Sequence, residues 1–177
     1  VVVDCLSKKM EVDFMANKAL VVYYSWSNGN TERIAEEVQN VLGADIAKID
    51  TVEPYVGSYD DVVEQGQLEV NRSYQPEIKP LGVDLADYDT VAVGTPTWWY
   101  TMAPAVLTFL THNDWSGKTV IPFHTHGGWP GHVLADMKKA CKGAVFVHEQ
   151  AIQFDSTGGD RMVTSQAELD KWLNSLK

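Results

Sequence analysis

Residues 19–42 read ALVVYYSWSNGNTERIAEEVQNVL, and the fold follows from how that stretch divides. Leu20, Val21, Val22, Tyr23 and Tyr24 form an unbroken apolar run, the pattern of a parallel strand covered on both faces. Ile34, Val38, Val41 and Leu42 recur at i, i+4, i+7 and i+8, one face of an amphipathic helix. The turn between them holds Ser25, Trp26, Ser27, Asn28, Gly29, Asn30 and Thr31. A helix opens with unpaired N–H groups and the positive end of its dipole, which makes such a turn a seat for an anion. Hydroxyls at Ser25, Ser27 and Thr31 can donate to the same oxygens, and Gly29 lets the backbone come close. Ser, Asn and Thr are also ordinary helix caps, so the turn alone leaves both readings open.

The turn has no G-x-x-x-x-G-K-[ST] and no G-x-G-x-x-G, the signatures of nucleoside triphosphate and dinucleotide loops. A short loop of Ser, Thr, Asn and Gly without Lys or Arg suits a single monoester phosphate. Here the chain resembles the flavodoxins, whose first strand–helix turn follows [ST]-x-[ST]-[GN]-x-[NT]-T and holds the phosphate of FMN. Ser25, Ser27, Asn28, Gly29, Asn30 and Thr31 stand at the matching positions.

The formal net charge is −10, from 14 Lys and Arg against 24 Asp and Glu. That argues against a nucleic-acid binder and leaves no basic face for anionic lipid. Cys5 and Cys141 form neither a metal-ligand spacing nor a disulfide framework, which fits a reducing compartment, so a cytoplasmic protein is expected. No apolar run approaches a membrane span. Residues 1–17 read as an N-terminal extension and residues 18–177 as a single domain. Met15 is a candidate start, with the residues before it an upstream addition. The alternative is a segment that packs on the domain.

Downstream, Asp45–Asp50 alternates as an edge strand should. Residues 51–87 are too long for a bare loop, and a helix is expected from Tyr59 to Asn71 with Ser58 as its cap, although Gly66 weakens it. A buried strand spans Asp89–Gly94, and a helix follows with Ala103, Val106, Leu107 and Leu110 on one face. Further strands are expected at Lys118–Phe123 and Ala144–Val147, the last resuming at Ala151–Phe154. Helices carrying Val133, Leu134, Met137 and Ala140, and then Leu169, Trp172, Leu173 and Leu176, complete the chain. Strands alternating with helices give an α/β, doubly wound parallel sheet with helices on both faces. The flavodoxin resemblance implies five strands in the order 2-1-3-4-5, with ligand where strands 1 and 3 diverge.

Two more loops carry unusual residues. Gly94-Thr95-Pro96-Thr97-Trp98-Trp99-Tyr100 places three large aromatics at a strand end, a flat apolar wall of the kind a ring system stacks on. It is similar to the G-[TS]-P-x-[WY]-[WY] loop of a flavodoxin-like family. The resemblance implies that Trp98 and Trp99 wall the isoalloxazine, with Thr95, Pro96 and Thr97 beside it and Tyr100 at the surface. His124-Thr125-His126-Gly127-Gly128-Trp129 stands where that family commonly has T-S-G-G-S-G. Gly127 and Gly128 would turn backbone N–H groups to the polar edge of the ring, while His126 and Trp129 depart from the pattern. His124 and His126 would point the same way from a strand, but a metal needs further ligands, and Glu149 or Asp155 are the only suggestions. His126 reads better as a neighbour of the flavin. With no Lys or Arg in residues 25–31, 94–103 or 124–132, histidine is the only candidate for a cation beside the ring, and His126 is expected to make the midpoint potential depend on pH near its own titration. Asp155-Ser156-Thr157-Gly158-Gly159-Asp160 reads as a turn, because its two acids repel phosphate.

The expected function is electron transfer by bound FMN, with a redox partner protein or a small-molecule electron acceptor. The alternative is an NAD(P)H-dependent reductase of quinones or nitro compounds, in which residues 51–87 and Trp129 shape a substrate pocket. A phosphorylated signalling domain of similar topology lacks its acidic cluster here. No Ser/His/Asp triad has supporting context, since neither Ser25 nor Ser27 lies in a G-x-S-x-G elbow.

Overall fold

The computed structural model describes residues 18–177, and the expectations for residues 1–17 lie outside them. The chain runs β1 (Ala19–Tyr23), α1 (Asn30–Leu42), β2 (Asp45–Lys48), α2 (Tyr59–Asn71), a 3₁₀ turn (Leu85–Asp87), β3 (Thr90–Trp98), β4 (Thr101–Met102) and α3 (Pro104–Thr111). It continues through β5 (Thr119–His126), α4 (Val133–Ala140), β6 (Val145–Phe146), β7 (Gln150–Gln153) and α5 (Gln166–Ser175).

The sheet is ordered β2-β1-β3-β5-β6, with β7 also on β5 and β4 on β3. Every ladder is parallel except β3–β4. This is the flavodoxin-like order 2-1-3-4-5, counting β5 as the fourth strand and β6 with β7 as a divided fifth. β1 alternates between two cores, as period-two side chains must. Leu20, Val22 and Tyr24 join Val106, Leu110 and Met137 on the face of α3 and α4. Val21 and Tyr23 join Ile34, Val38, Leu169 and Trp172 on the face of α1 and α5. Burying each of these aliphatic side chains contributes about 1.5–3 kcal/mol.

α2 has the expected bounds, and its start is a reciprocal capping box. The Ser58 hydroxyl accepts the Asp61 N–H at 3.2 Å, and the Asp61 carboxylate accepts the Ser58 N–H at 2.7 Å. Gly66, expected to weaken the helix, is where α2 packs against the Trp98 and Trp99 side chains. A Cβ there would lie 3.1 Å from Trp98 Cε3.

Two strands are longer than expected. β3 and β5 continue past Gly94 and Phe123 because they pair with each other, Thr95 with His124 and Pro96 with Thr125. Thr95–Trp98 and His124–His126 are therefore strand rather than loop. β3 then reverses through a two-residue hairpin, Trp98 pairing with Thr101. Trp99 (φ 48°) and Tyr100 (φ 69°) form the turn, in a left-handed conformation usually given to Asn and Gly.

Candidate functional site

A cleft of about 320 Å³ lies at the C-terminal ends of β1, β3 and β5, where connections leave β1 and β3 toward opposite edges of the sheet. An open α/β sheet leaves room for a ligand at such a point. Its lining includes Trp26, Ser27, Asn30, Thr31, Pro96, Thr97, Trp98, Trp99, His126 and Gly127, residues from all three stretches singled out in the sequence.

At one end is the start of α1. Gly29 is its cap residue, in left-handed conformation (φ 73°), and offers no side chain to the first-turn N–H groups. The Asn30 and Thr31 backbone N–H groups have no protein acceptor among the described residues, while the Glu32 N–H reaches Ser25 Oγ at 3.4 Å. A helix start with two open N–H groups, its dipole and the Ser27 hydroxyl beside it suits an anion. The side chains of Asn28 and Asn30 do something else. Asn28 donates to the Gly158 carbonyl and Asn30 to the Gly159 carbonyl (3.0 Å), binding the turn to the distant 155–160 loop. Thr31 Oγ1 is buried and shares a 2.8 Å hydrogen bond with Thr125 Oγ1. Ser25, Asn28 and Gly29 support the seat without lining the cleft.

The walls are aromatic. Trp26 packs edge-on to Trp98 (centroids 6.4 Å, 85°) and tilts against Tyr59 at 5.9 Å. Trp99 is pinned by its indole N–H, which donates to the Val63 carbonyl of α2 at 2.8 Å. Tyr100 is 52 % exposed and lies outside the cleft, as expected of it. Thr95 is also outside. Its fully buried hydroxyl accepts the Ala103 N–H at 3.0 Å and donates to the Pro96 carbonyl at 2.9 Å, so its role is to hold the start of α3. That overturns the expected contact with a ring.

At the polar end, His126 Nδ1 accepts the Gly128 N–H at 3.0 Å. Gly128 is thus exposed and off the cleft with its N–H already used, contrary to expectation, and the neutral His126 ring carries its proton on Nε2. Burial pulls His126 below its ordinary pKa. The His124 ring lies 5.5 Å away, tilted by 31°, and is pulled down to about 4, by burial first and by His126 second. Thr97 has one hydroxyl proton, which it gives to the Thr125 carbonyl at 2.9 Å. His124 Nδ1, 2.8 Å from the same oxygen, is therefore the donor to it.

The sequence reading missed two parts of the lining. Tyr59, Val62, Val63 and Gly66 come from α2, and Phe154, Asp155, Ser156, Gly158 and Gly159 follow β7. The mid-helix glycine was the available signal for the first. For the second it was the Gly158-Gly159 pair, whose bare carbonyls receive the two asparagines. The Asp155 carboxyl is held below its usual range by the Thr157 hydroxyl and N–H. It stays ionised on the rim.

An open helix start, flat aromatic walls and a histidine N–H fit a planar heterocycle with an anionic tail. They define the class: an open-sheet α/β protein with its ligand cleft at the point where the strand order reverses. The flavodoxin family model matches residues 18–176, and the chain belongs to that family. No curated protein sequence matches it. Among solved structures it is similar to a candidate flavoprotein of Bacteroides eggerthii DSM 20697, at 27% identity over 91% of this chain and 98% of that one, TM-score 0.72. A candidate flavoprotein of Bacteroides uniformis ATCC 8492 is 24% identical over 89% and 98%, TM-score 0.73. A flavoprotein of Lactobacillus acidophilus NCFM, solved in complex with FMN, is 21% identical over 89% and 99%, TM-score 0.67. The last two show the fold. No helix among the described residues is long and apolar enough to cross a membrane.

Proposed function

We propose that the cleft binds FMN and that the protein is an electron carrier. The observation that carries this reading is the meeting, in one cleft, of an open helix start with walls of Trp26, Trp98 and Trp99. The α1 N–H groups and Ser27 hold the phosphate, Trp98 and Trp99 wall the ring, and the Nε2–H of His126 faces its polar edge. Bound FMN supplies the electron-accepting ring; the chain positions it, shields it and sets its potential. Neutral donors and a dipole meet the phosphate, in place of the cations of a triphosphate loop.

The test compares FMN with riboflavin, which has the same ring and no phosphate. FMN is expected to stay bound through gel filtration and riboflavin to wash out; equal retention would overturn the phosphate seat. Stepwise reduction of the loaded protein then separates two functions. Two resolved one-electron steps support the carrier. Trp129, 62 % exposed on the rim, favours a second reading, a reductase in which a flat quinone or nitro compound stacks there. Rapid NAD(P)H oxidation with such an acceptor would support it.

His126 sets a further expectation. Its burial places its titration below the ordinary histidine range, so the part of the potential's pH dependence that His126 adds should appear only on the acid side of neutrality. His126→Asn should flatten that dependence in a potentiometric titration from pH 5 to 8.

A further inference from the structure

Trp26 and Trp98 form the outer part of an aromatic chain that continues past the cleft. The Trp98 ring lies 5.0 Å from Tyr55 and 5.9 Å from Tyr24, and the two tyrosines are 6.5 Å apart. Tyr55 ends the chain in a particular way. Its hydroxyl donates at 2.6 Å to Glu69 Oε2, and Gln65 donates at 2.9 Å to the other carboxylate oxygen. Glu69 is 4 % exposed. Its partners are a phenol and an amide, with no cation paired to it among the described residues. Burying a carboxylate in that company is costly, and a glutamine would accept the same phenolic hydrogen bond without the charge. What glutamate alone offers is a base.

We propose that Trp26, Trp98 and Tyr55 form a relay carrying an oxidising equivalent from the cleft to Tyr55, whose phenolic proton passes to Glu69. A one-electron oxidant in the cleft takes an electron from Trp98, directly or through Trp26. Tyr55 refills Trp98 with one electron. The Tyr55 O–H bond breaks, its proton going from Oη to Glu69 Oε2. The balance is one reduced oxidant, one neutral tyrosine phenoxyl and one protonated Glu69, with both tryptophans restored. Burial and the adjacent carboxylate hold the Tyr55 phenol well above its ordinary pKa, so the proton leaves only with the electron. Glu69 also borders a second cavity of about 420 Å³ that reaches His132 and Asp136, a route by which the proton can pass to solvent. The relay draws damaging oxidation away from the cleft. Only the nature of its oxidant, photoexcited flavin, rests on the FMN reading.

The path is tested on the full chain without flavin. Azidyl radicals from pulse radiolysis oxidise tryptophan first, and transient absorption follows transfer to tyrosine. Decay of the tryptophan radical is expected to match the rise of a phenoxyl, and Tyr55→Phe should lose most of that phenoxyl. Tyr88→Phe is the control. Tyr88 also donates to a carboxylate, Asp45, at 2.6 Å, but its ring is in none of the aromatic pairs of the cluster. Glu69→Gln keeps an acceptor for Tyr55 and should slow the rise by roughly a hundredfold, the lower end of what a positioned base contributes. Phenoxyl undiminished in Tyr55→Phe, or a rise unchanged in Glu69→Gln, would overturn the relay. In FMN-loaded protein a blue flash should give the same phenoxyl. A relay that works without flavin but stays silent under the flash would stand, and the placement of flavin against Trp98 would fall.

Discussion

At His124 the ring is 1 % exposed and gives its Nδ1 proton to Thr97, so the native fold holds it neutral. Its pKa falls from 6.5 to about 4. Between those values the unfolded chain binds a proton that the folded one refuses, so stability rises with pH across that window. The contribution is complete above pH 6.5 and is lost as pH falls toward 4, about 3 kcal/mol in all. Urea unfolding from pH 4 to 8 should show this slope, and His124→Gln should flatten it even if the variant is less stable throughout. The sequence showed two histidines two residues apart. It did not show that β5 stays paired to β3 through this stretch, which buries the first ring and holds the second 5.5 Å from it. Thr95 misled for the same reason, because its contact with Ala103 depends on the hairpin that follows.

α2 was readable to the residue because its start is written locally, in Ser58 and Asp61. Its place in the cleft was not, since Tyr59, Val62, Val63 and Gly66 reach the site only through packing on Trp98 and Trp99. The helix start and the cleft wall are therefore one object. Ser58→Ala should cost about 1 kcal/mol, or about 2–4 °C in Tm for a chain of this size. It should weaken FMN binding as well, which a cap remote from the ligand would not. The extra lengths of β3 and β5 were hidden for a different physical reason. Pro96 has no N–H to give a ladder and so argues against a continuing strand, and only the mutual register of Thr95 with His124 and Pro96 with Thr125 overrides that. Trp99 and Tyr100 likewise hold a left-handed turn that no local propensity favours.

For the molecule as a whole, the alternation of elements fixed the layers, because parallel strands need crossover helices and a right-handed crossover lands on one face or the other according to the direction the chain takes along the sheet. The approach of residues 155–159 to residues 28–30 was beyond such reasoning, since it joins segments about as far apart as the chain allows. The net charge of −10 acts at this scale. If the protein is a carrier, its electron transfer to a basic acceptor protein should slow several-fold between about 0.01 and 0.3 M salt, as the Debye length shrinks below the span of the surface. A small neutral acceptor should show no such slowing, and stopped-flow reduction of each would tell. The divided fifth strand has a different consequence. β6 registers on Thr119 and Val120, and β7 on Phe123 to His126. Each half is thus aligned by β5, independently of the residues that join them. His148 between them is in left-handed conformation, and its carbonyl accepts the Trp172 indole N–H at 2.7 Å. The backbone can be severed after His148 without breaking either ladder. Residues 18–148 and 149–177, produced as separate polypeptides, should reassemble when mixed. The shorter piece carries Phe154 to Gly159, one side of the cleft. Recovery of the flavin's bound spectrum would then report that two strangers had met, a complementation sensor built into the architecture.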